Sequence, residues 1–130
     1  MRNTIAIVLV SHSEQLSLGL LDILKQMTDD RVAVACCGGD GKGGLGTRVS
    51  DIHAAIDSVW CSEGVLVLVD LGGSEMKTEL AITELVPHKR SCVQIAAAPL
   101  VEGAIMAAAA ALEGCDLATA LRRAEQVTFG

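Results

Sequence analysis

Ile5-Ala6-Ile7-Val8-Leu9-Val10-Ser11-His12-Ser13-Glu14 decides how this chain is read: six apolar residues without alternation, a short polar hinge, then an amphipathic helical pattern. An unbroken apolar run marks a strand covered on both faces, as in a parallel sheet sandwiched between helices. The hinge then lies at the carboxyl edge of that sheet. Open α/β sheets place ligands at this edge, and the free N–H groups opening the next helix favour an anion there. His12 is a nucleophilic imidazole in that position, which suggests phosphoryl chemistry.

The same alternation of apolar runs and helical patterns continues outward to the C-terminus. Strands are expected over Thr4–Val10, Val32–Cys36, Val65–Asp70 and Cys92–Ala96. A first helix is expected over about Glu14–Met27, with Leu16, Leu20, Ile23, Leu24 and Met27 as its apolar stripe. Further helices follow over about Arg48–Val59, Glu75–Leu85 and Val101–Leu112. The last of these is Ala-rich on every face and so should pack closely against its neighbours. Gly114 should end it, and Asp116 should cap a final helix over about Leu117–Gln126. This order predicts a three-layer α/β fold: an open, mainly parallel sheet of four to five strands, right-handed crossovers, and helices on both faces. No repeat or low-complexity linker divides the 130 residues, so a single domain (1–130) with one substantial core is expected.

Composition narrows the function. Apolar residues make up 51% of the chain but aromatics only 2%, so the core must be built from Val, Ile, Leu and Ala. The same poverty leaves no base-stacking platform, and a net charge of −6 removes the electrostatic source of phosphate-backbone binding. Nucleic acid is not an expected partner. Cys36, Cys37, Cys61, Cys92 and Cys115 are odd in number and contain no CxxC pair. They read as free thiols in a reducing cytosol rather than as disulfides or a zinc site. No basic segment precedes a removable apolar stretch, and no apolar run nears the roughly 20 residues of a membrane span. A cytoplasmic protein with no membrane association is the expectation.

Four strand ends converge on one edge, and the candidate residues lie there. A histidine capping the first helix through its ring would need no reactivity, but its place between Ser11 and Ser13 at this edge favours a functional imidazole. Asp70 closes the third strand before Gly72-Gly73-Ser74. It reads either as a turn former or as a carboxylate reaching the imidazole of the neighbouring strand. A carboxylate on one ring nitrogen fixes the tautomer and leaves the other nitrogen's lone pair free to attack. Gly72 and Gly73 let backbone N–H groups approach phosphoryl oxygens, and Ser74 sits near the next helix start. The glycine-rich stretch Gly38–Thr47 fits G-x-G-x-x-G formally at Gly41–Gly46, but in so glycine-dense a segment the match carries little information, and Gly43 excludes a Walker A motif. It reads as a mobile surface loop anchored only at Gly46-Thr47, where Thr47 either caps the second helix or donates to phosphate. His53 and His88 read as structural or solvated. Glu75, Glu79 and Glu84 read as an exposed helix face, and Arg122 and Arg123 as complements to a helix dipole.

Together, Ile7–Ser13, Gly46-Thr47, Val69–Ser74 and Ala97-Ala98-Pro99-Leu100-Val101-Glu102-Gly103 resemble the mannose-type IIA domains of the bacterial sugar phosphotransferase system. The Pro-Leu-Val-Glu-Gly segment resembles in particular the DhaM phosphocarrier subunits of phosphoenolpyruvate-dependent dihydroxyacetone kinases. The resemblance implies a phosphohistidine on His12, steadied by Asp70, with Gly46, Thr47, Gly72, Gly73 and Ser74 around the phosphoryl group. It implies no bound cofactor or metal. The phosphoryl group comes from phosphoenolpyruvate through enzyme I and phospho-HPr, and passes to ADP on DhaL while DhaK holds dihydroxyacetone. It also implies a homodimer, and a shallow, polar-rimmed depression around His12, since donor and acceptor are macromolecules. Some relatives continue into HPr-like and enzyme-I-like domains, so a chain ending at Gly130 is expected to be a short form or an excised domain. The glycine-rich Gly38–Gly44 stretch departs from the resemblance.

Other readings make different demands. A mannose-type IIA domain of a sugar transporter, or a regulatory IIA-like module, shares the same site and differs in its acceptor. A receiver domain needs acidic residues after the first strand, where Ser11-His12 stands. A dinucleotide-binding enzyme rests on the diluted glycine match alone.

Overall fold

A computed structural model describes residues 4–70 and 72–127; Leu71, which the sequence reading places in the Asp70–Ser74 loop, lies outside them. The elements run β1 (Ala6–Ser11), α1 (Glu14–Thr28), β2 (Val34–Gly38), α2 (Val49–Val59), β3 (Val65–Val69), α3 (Ser74–Thr83), α4 (Pro87–Arg90), β4 (Val93–Ala96), α5 (Leu100–Leu112) and α6 (Leu117–Glu125). The four strands form one sheet in the order β2-β1-β3-β4, every pair parallel. The expected three-layer α/β architecture is what the chain adopts.

The unalternating apolar runs have a direct structural cause. Along β1, Ile7 and Leu9 pack with Leu20 and Leu24 of α1 and the alanines of α5 and α6, while Ala6, Val8 and Val10 pack with Ile52 and Ile56 of α2 and Ala81 of α3. Leu66 and Leu68 of β3 join the first core, Val65 and Val67 the second. Successive side chains enter opposite cores, so neither face tolerates a polar residue. The close packing expected of the Ala-rich helix also holds: Ala104, Ala107, Ala108, Ala110 and Ala111 are fully buried. At Gly103 a Cβ would lie 2.9 Å from Cβ of Ala98, so the helix sits as near the sheet edge as its backbone allows.

Two expectations require correction. The stripe read for α1 was too wide. Leu20 and Leu24 are buried, but Leu16, Ile23 and Met27 are 43%, 51% and 36% exposed, and Ser17 and Thr28 take the remaining core positions. Their hydroxyls donate to the carbonyls of Glu14 at 2.7 Å and Leu24 at 2.8 Å, which removes the cost of burying them. His88, read as lying in a connector, belongs to α4, four residues opened by Pro87 and too short to show a helical period.

Gly114 (φ +78°) follows α5, and Asp116 caps α6 by accepting from the amide of Thr119 at 2.9 Å. At the end of the sheet opposite His12, Trp60 follows α2 and its Nε1 donates to the carbonyl of Lys89 at 3.1 Å. The Lys89 ammonium lies 5.4 Å from the Trp60 ring centroid and pairs with Asp57, while the His88 ring meets the indole edge-on. Among the described residues no helix is long and apolar enough to cross a membrane.

Candidate phosphoryl-transfer site

The chain leaves β1 toward β2 on one side and later places β3 on the other, so the adjacent β1 and β3 ends form the topological switch point of the sheet. Register sets Val10 beside Val69, which brings Ser11-His12 and Asp70 together just beyond. One Asp70 oxygen, Oδ1, accepts from Nδ1 of His12 at 3.0 Å. The other, Oδ2, accepts from the backbone N–H of His12 at 2.9 Å and from Oγ of Ser11 at 2.8 Å. Ser74, the buried first residue of α3, donates from Oγ to Oδ1 at 3.4 Å and lies 3.2 Å from the imidazole Nδ1.

An ionised carboxylate only accepts hydrogen bonds, so the ring nitrogen facing it carries the proton and Nε2 keeps its lone pair. The His12 side chain retains 27% of its surface, against 14% for Asp70. The ring is therefore held through Nδ1 while part of the side chain stays exposed. His12 does not cap α1; Ser13 does, its Oγ accepting from the amide of Leu16 at 3.2 Å.

Two loops border the ring. The N-cap of α3 is Gly73, at φ +93°, with no side-chain cap. The first amides of that helix lack intrahelical partners, which makes its N-terminus receptive to an anion. Gly72 and Gly73 are exposed. On the other side, the N–H of Gly46 donates to the carbonyl of His12 at 2.8 Å, tying the second loop to the site's own backbone. Thr47 does not cap α2, whose N-cap is Arg48, and among the described residues its buried hydroxyl has no hydrogen-bond partner. The Thr47 carbonyl accepts from Nζ of Lys77 at 2.7 Å, a contact that links this loop to α3.

The glycine-rich stretch is more structured than the sequence suggests. Oδ1 of Asp40 accepts from the amides of Lys42 at 2.7 Å and Gly44 at 3.0 Å, and the Asp40 amide donates to the Gly44 carbonyl. Those amides, Lys42 first, hold the Asp40 carboxyl below its usual range. The anchorage thus extends well beyond Gly46-Thr47. Gly38 explains why β2 runs two residues further than expected: a Cβ there would sit 2.7 Å from the carbonyls of Ser11 and Ser13. Arg48 is engaged by both carboxylate oxygens of Asp51, at 2.8 and 3.1 Å.

Of the residues singled out in the sequence, His12, Asp70 and Ser74 meet directly, with Gly46 bonded to the His12 carbonyl; Gly72, Gly73 and Thr47 flank them. Ser11 and Lys77 were missed. Ser11 ends an apolar run at a position facing the neighbouring strand end, a signal available in the sequence; Lys77 offered none.

A parallel α/β sheet with an aspartate-held imidazole at its switch point agrees with what sequence comparison finds. The chain belongs to the mannose-type EIIA family of the phosphotransferase system: the family model described as "PTS system fructose IIA component" matches residues 6–121. Within that family its similarity runs to DhaM proteins. It is 37% identical over 108 residues to "PEP-dependent dihydroxyacetone kinase 2, phosphoryl donor subunit DhaM" of Listeria innocua, covering 83% of this chain and 86% of that one. It is 35% identical over 114 residues to the DhaM subunit of Escherichia coli, covering 85% of this chain but only 24% of that protein's length. Among solved structures, the crystal structure of "unknown function protein EF1359" superposes with a TM-score of 0.86 at 30% identity, covering 100% of this chain and 98% of that one. The dihydroxyacetone kinase of C. freundii, at 18% identity and a TM-score of 0.60 over 25% of its length, shares the fold.

Proposed function

We propose that this chain is the phosphoryl donor subunit of a phosphoenolpyruvate-dependent dihydroxyacetone kinase, carrying the group on Nε2 of His12. The observation that carries the reading is the pairing of His12 Nδ1 with Asp70 at 3.0 Å, on a side chain that keeps 27% of its surface, which leaves the opposite ring nitrogen to take the phosphoryl group. The DhaM relatives supply the kinase system and, through their described role as phosphoryl donors, the direction of transfer.

In the first step the Nε2 lone pair attacks phosphorus of the phosphohistidine on HPr. A P–N bond forms on His12 as the donor's P–N bond breaks, and the departing imidazole takes the electron pair. In the second step a terminal oxygen of ADP held by DhaL attacks the same phosphorus, the P–O bond of ATP forms, and His12 regains its lone pair. DhaK holds the dihydroxyacetone that finally receives the group. Neither step requires a strong nucleophile, so in-line positioning and charge stabilisation carry the catalysis. Asp70 stabilises the positive ring formed on phosphorylation. The α3 N-terminus, with Gly72, Gly73 and Ser74, serves the phosphoryl oxygens; Gly46 and Thr47 shape the opposite wall. The chain needs no cofactor of its own, and it works as a homodimer in the cytoplasm.

Incubation with labelled phosphoenolpyruvate, enzyme I and HPr, followed by peptide mapping, tests the reading. Label on His12, stable in alkali and lost in acid, is expected. Coupled kinase activity with DhaK and DhaL then separates this function from a sugar-transporter IIA domain or a regulatory module. Absence of label on His12 refutes the proposal.

A further inference from the structure

We propose that Lys77 supplies the positive charge that balances His12 in its phosphorylated state. The inference rests on the phosphohistidine reading above and assigns a role to a residue outside the phosphate cradle itself.

Lys77 stands one turn after Ser74 in α3, on the same face of the helix, and side chains there lean back toward the helix N-terminus. Ser74 touches the His12 ring; the Lys77 ammonium reaches back and ends on the Thr47 carbonyl at 2.7 Å. Thr47 follows Gly46, whose amide holds the His12 carbonyl. His12, Asp70, Ser74, Lys77, Thr47 and Gly46 thus form a closed circuit, in which the ammonium bridges the two loops that border the ring.

The electrostatic need is plain. Phosphorylation sets a group of roughly two negative charges on a ring that gains one positive charge, a net gain of about one negative charge beside a carboxylate, in a chain of net charge −6. Arg48, on the same loop, is committed to Asp51. Among the described residues no carboxylate pairs with Lys77, and its bond to Thr47 uses one of three N–H donors. A half-buried ammonium fixed by a backbone carbonyl is already ordered when the phosphoryl group arrives. Its attraction for that group is also less screened than that of a free surface lysine. The same bond makes Lys77 a positioning residue, because it sets where the Gly46-Thr47 wall lies.

The test is the equilibrium partition of phosphoryl groups between HPr and this chain, measured with enzyme I and phosphoenolpyruvate as source. Lys77→Met and Lys77→Gln should each shift the partition toward phospho-HPr by about tenfold at low salt, and Lys77→Arg should restore it to within about twofold. The difference between wild type and Lys77→Met should narrow but persist near 1 M salt, because a half-buried charge is only partly screened. Urea unfolding of each variant verifies that the fold is intact. If Lys77→Gln partitions like the wild type, the hydrogen bond rather than the charge is what matters and the inference falls. It falls equally if wild type is labelled on His12 and Lys77→Met partitions identically, an outcome that leaves the phosphohistidine reading standing. A wild type that takes no label refutes both.

Discussion

Asp70 grips His12 twice, receiving the ring through Nδ1 at 3.0 Å on one oxygen and the peptide N–H at 2.9 Å on the other. The carboxylate therefore orients both the side chain and the backbone it hangs from. Ser11 reinforces the grip from the preceding residue. Rotation of the ring away from Asp70 would break one bond and leave the backbone anchor in place.

The first prediction concerns His12 itself. His12→Ala should abolish phosphoryl acceptance from phospho-HPr while the fold survives. The side chain makes one strong hydrogen bond, and Asp70 keeps its Ser11 and backbone donors, so the stability cost should be about 1 kcal/mol. Far-UV circular dichroism and urea titration read the fold; acid-labile label reads the function.

Asp70→Asn separates geometry from tautomer. The amide keeps one acceptor but also presents a donor, and the ring is free to take the tautomer with its proton on Nε2. The rate of phosphoryl acceptance should fall about 10²-fold, with the alkali stability of any label unchanged. Rapid-quench measurement of the first turnover checks this; a rate within threefold of wild type would mean Asp70 does not set the ring's protonation.

The α5–sheet contact is tested at Gly103. Gly103→Val pushes side-chain carbon into Cβ of Ala98 and toward Leu68, whose Cδ1 already lies 3.3 Å from a Cβ at this position. Overpacking of this kind should lower stability by about 1–3 kcal/mol, read as an earlier urea midpoint.

Stability should also respond to alkaline pH through Cys37. Burial first, then the charge of Asp51, pushes its thiol up to about 12. In the unfolded chain a thiol ionises near its ordinary value of 9.0, whereas the native one stays neutral. The native state therefore binds one more proton across that window, and stability falls as pH rises from about 9 toward 12. Below pH 9 this contribution is constant. Urea midpoints between pH 8 and 10.5 should decline more steeply for wild type than for Cys37→Ala, and the chain contains no tyrosine to obscure the comparison.

The sheet was legible in the sequence because its strands are buried on both faces, and nothing but continuous apolar runs satisfies two cores at once. His12, Asp70 and Ser74 were legible because strand ends and helix starts are marked by polar residues and glycine. What sequence could not show was rotation and reach. The stripe of α1 contains more apolar residues than its contact with the sheet can cover, so Leu16, Ile23 and Met27 stay outside while back-bonded Ser17 and Thr28 go in. Lys77 escaped notice because its target is a carbonyl 30 residues away, and a backbone oxygen has no residue-type signature. The glycine-rich loop read as featureless because one aspartate, Asp40, organises it through amides that every sequence possesses.

Trp60 is the chain's single tryptophan, and it lies at the strand-start end of the sheet, between α2 and α4. Its fluorescence is in effect a private gauge of that junction: emission tracks unfolding yet is remote from events at His12. A titration followed by Trp60 can thus compare phosphorylated and unphosphorylated protein on one baseline, with no extrinsic dye.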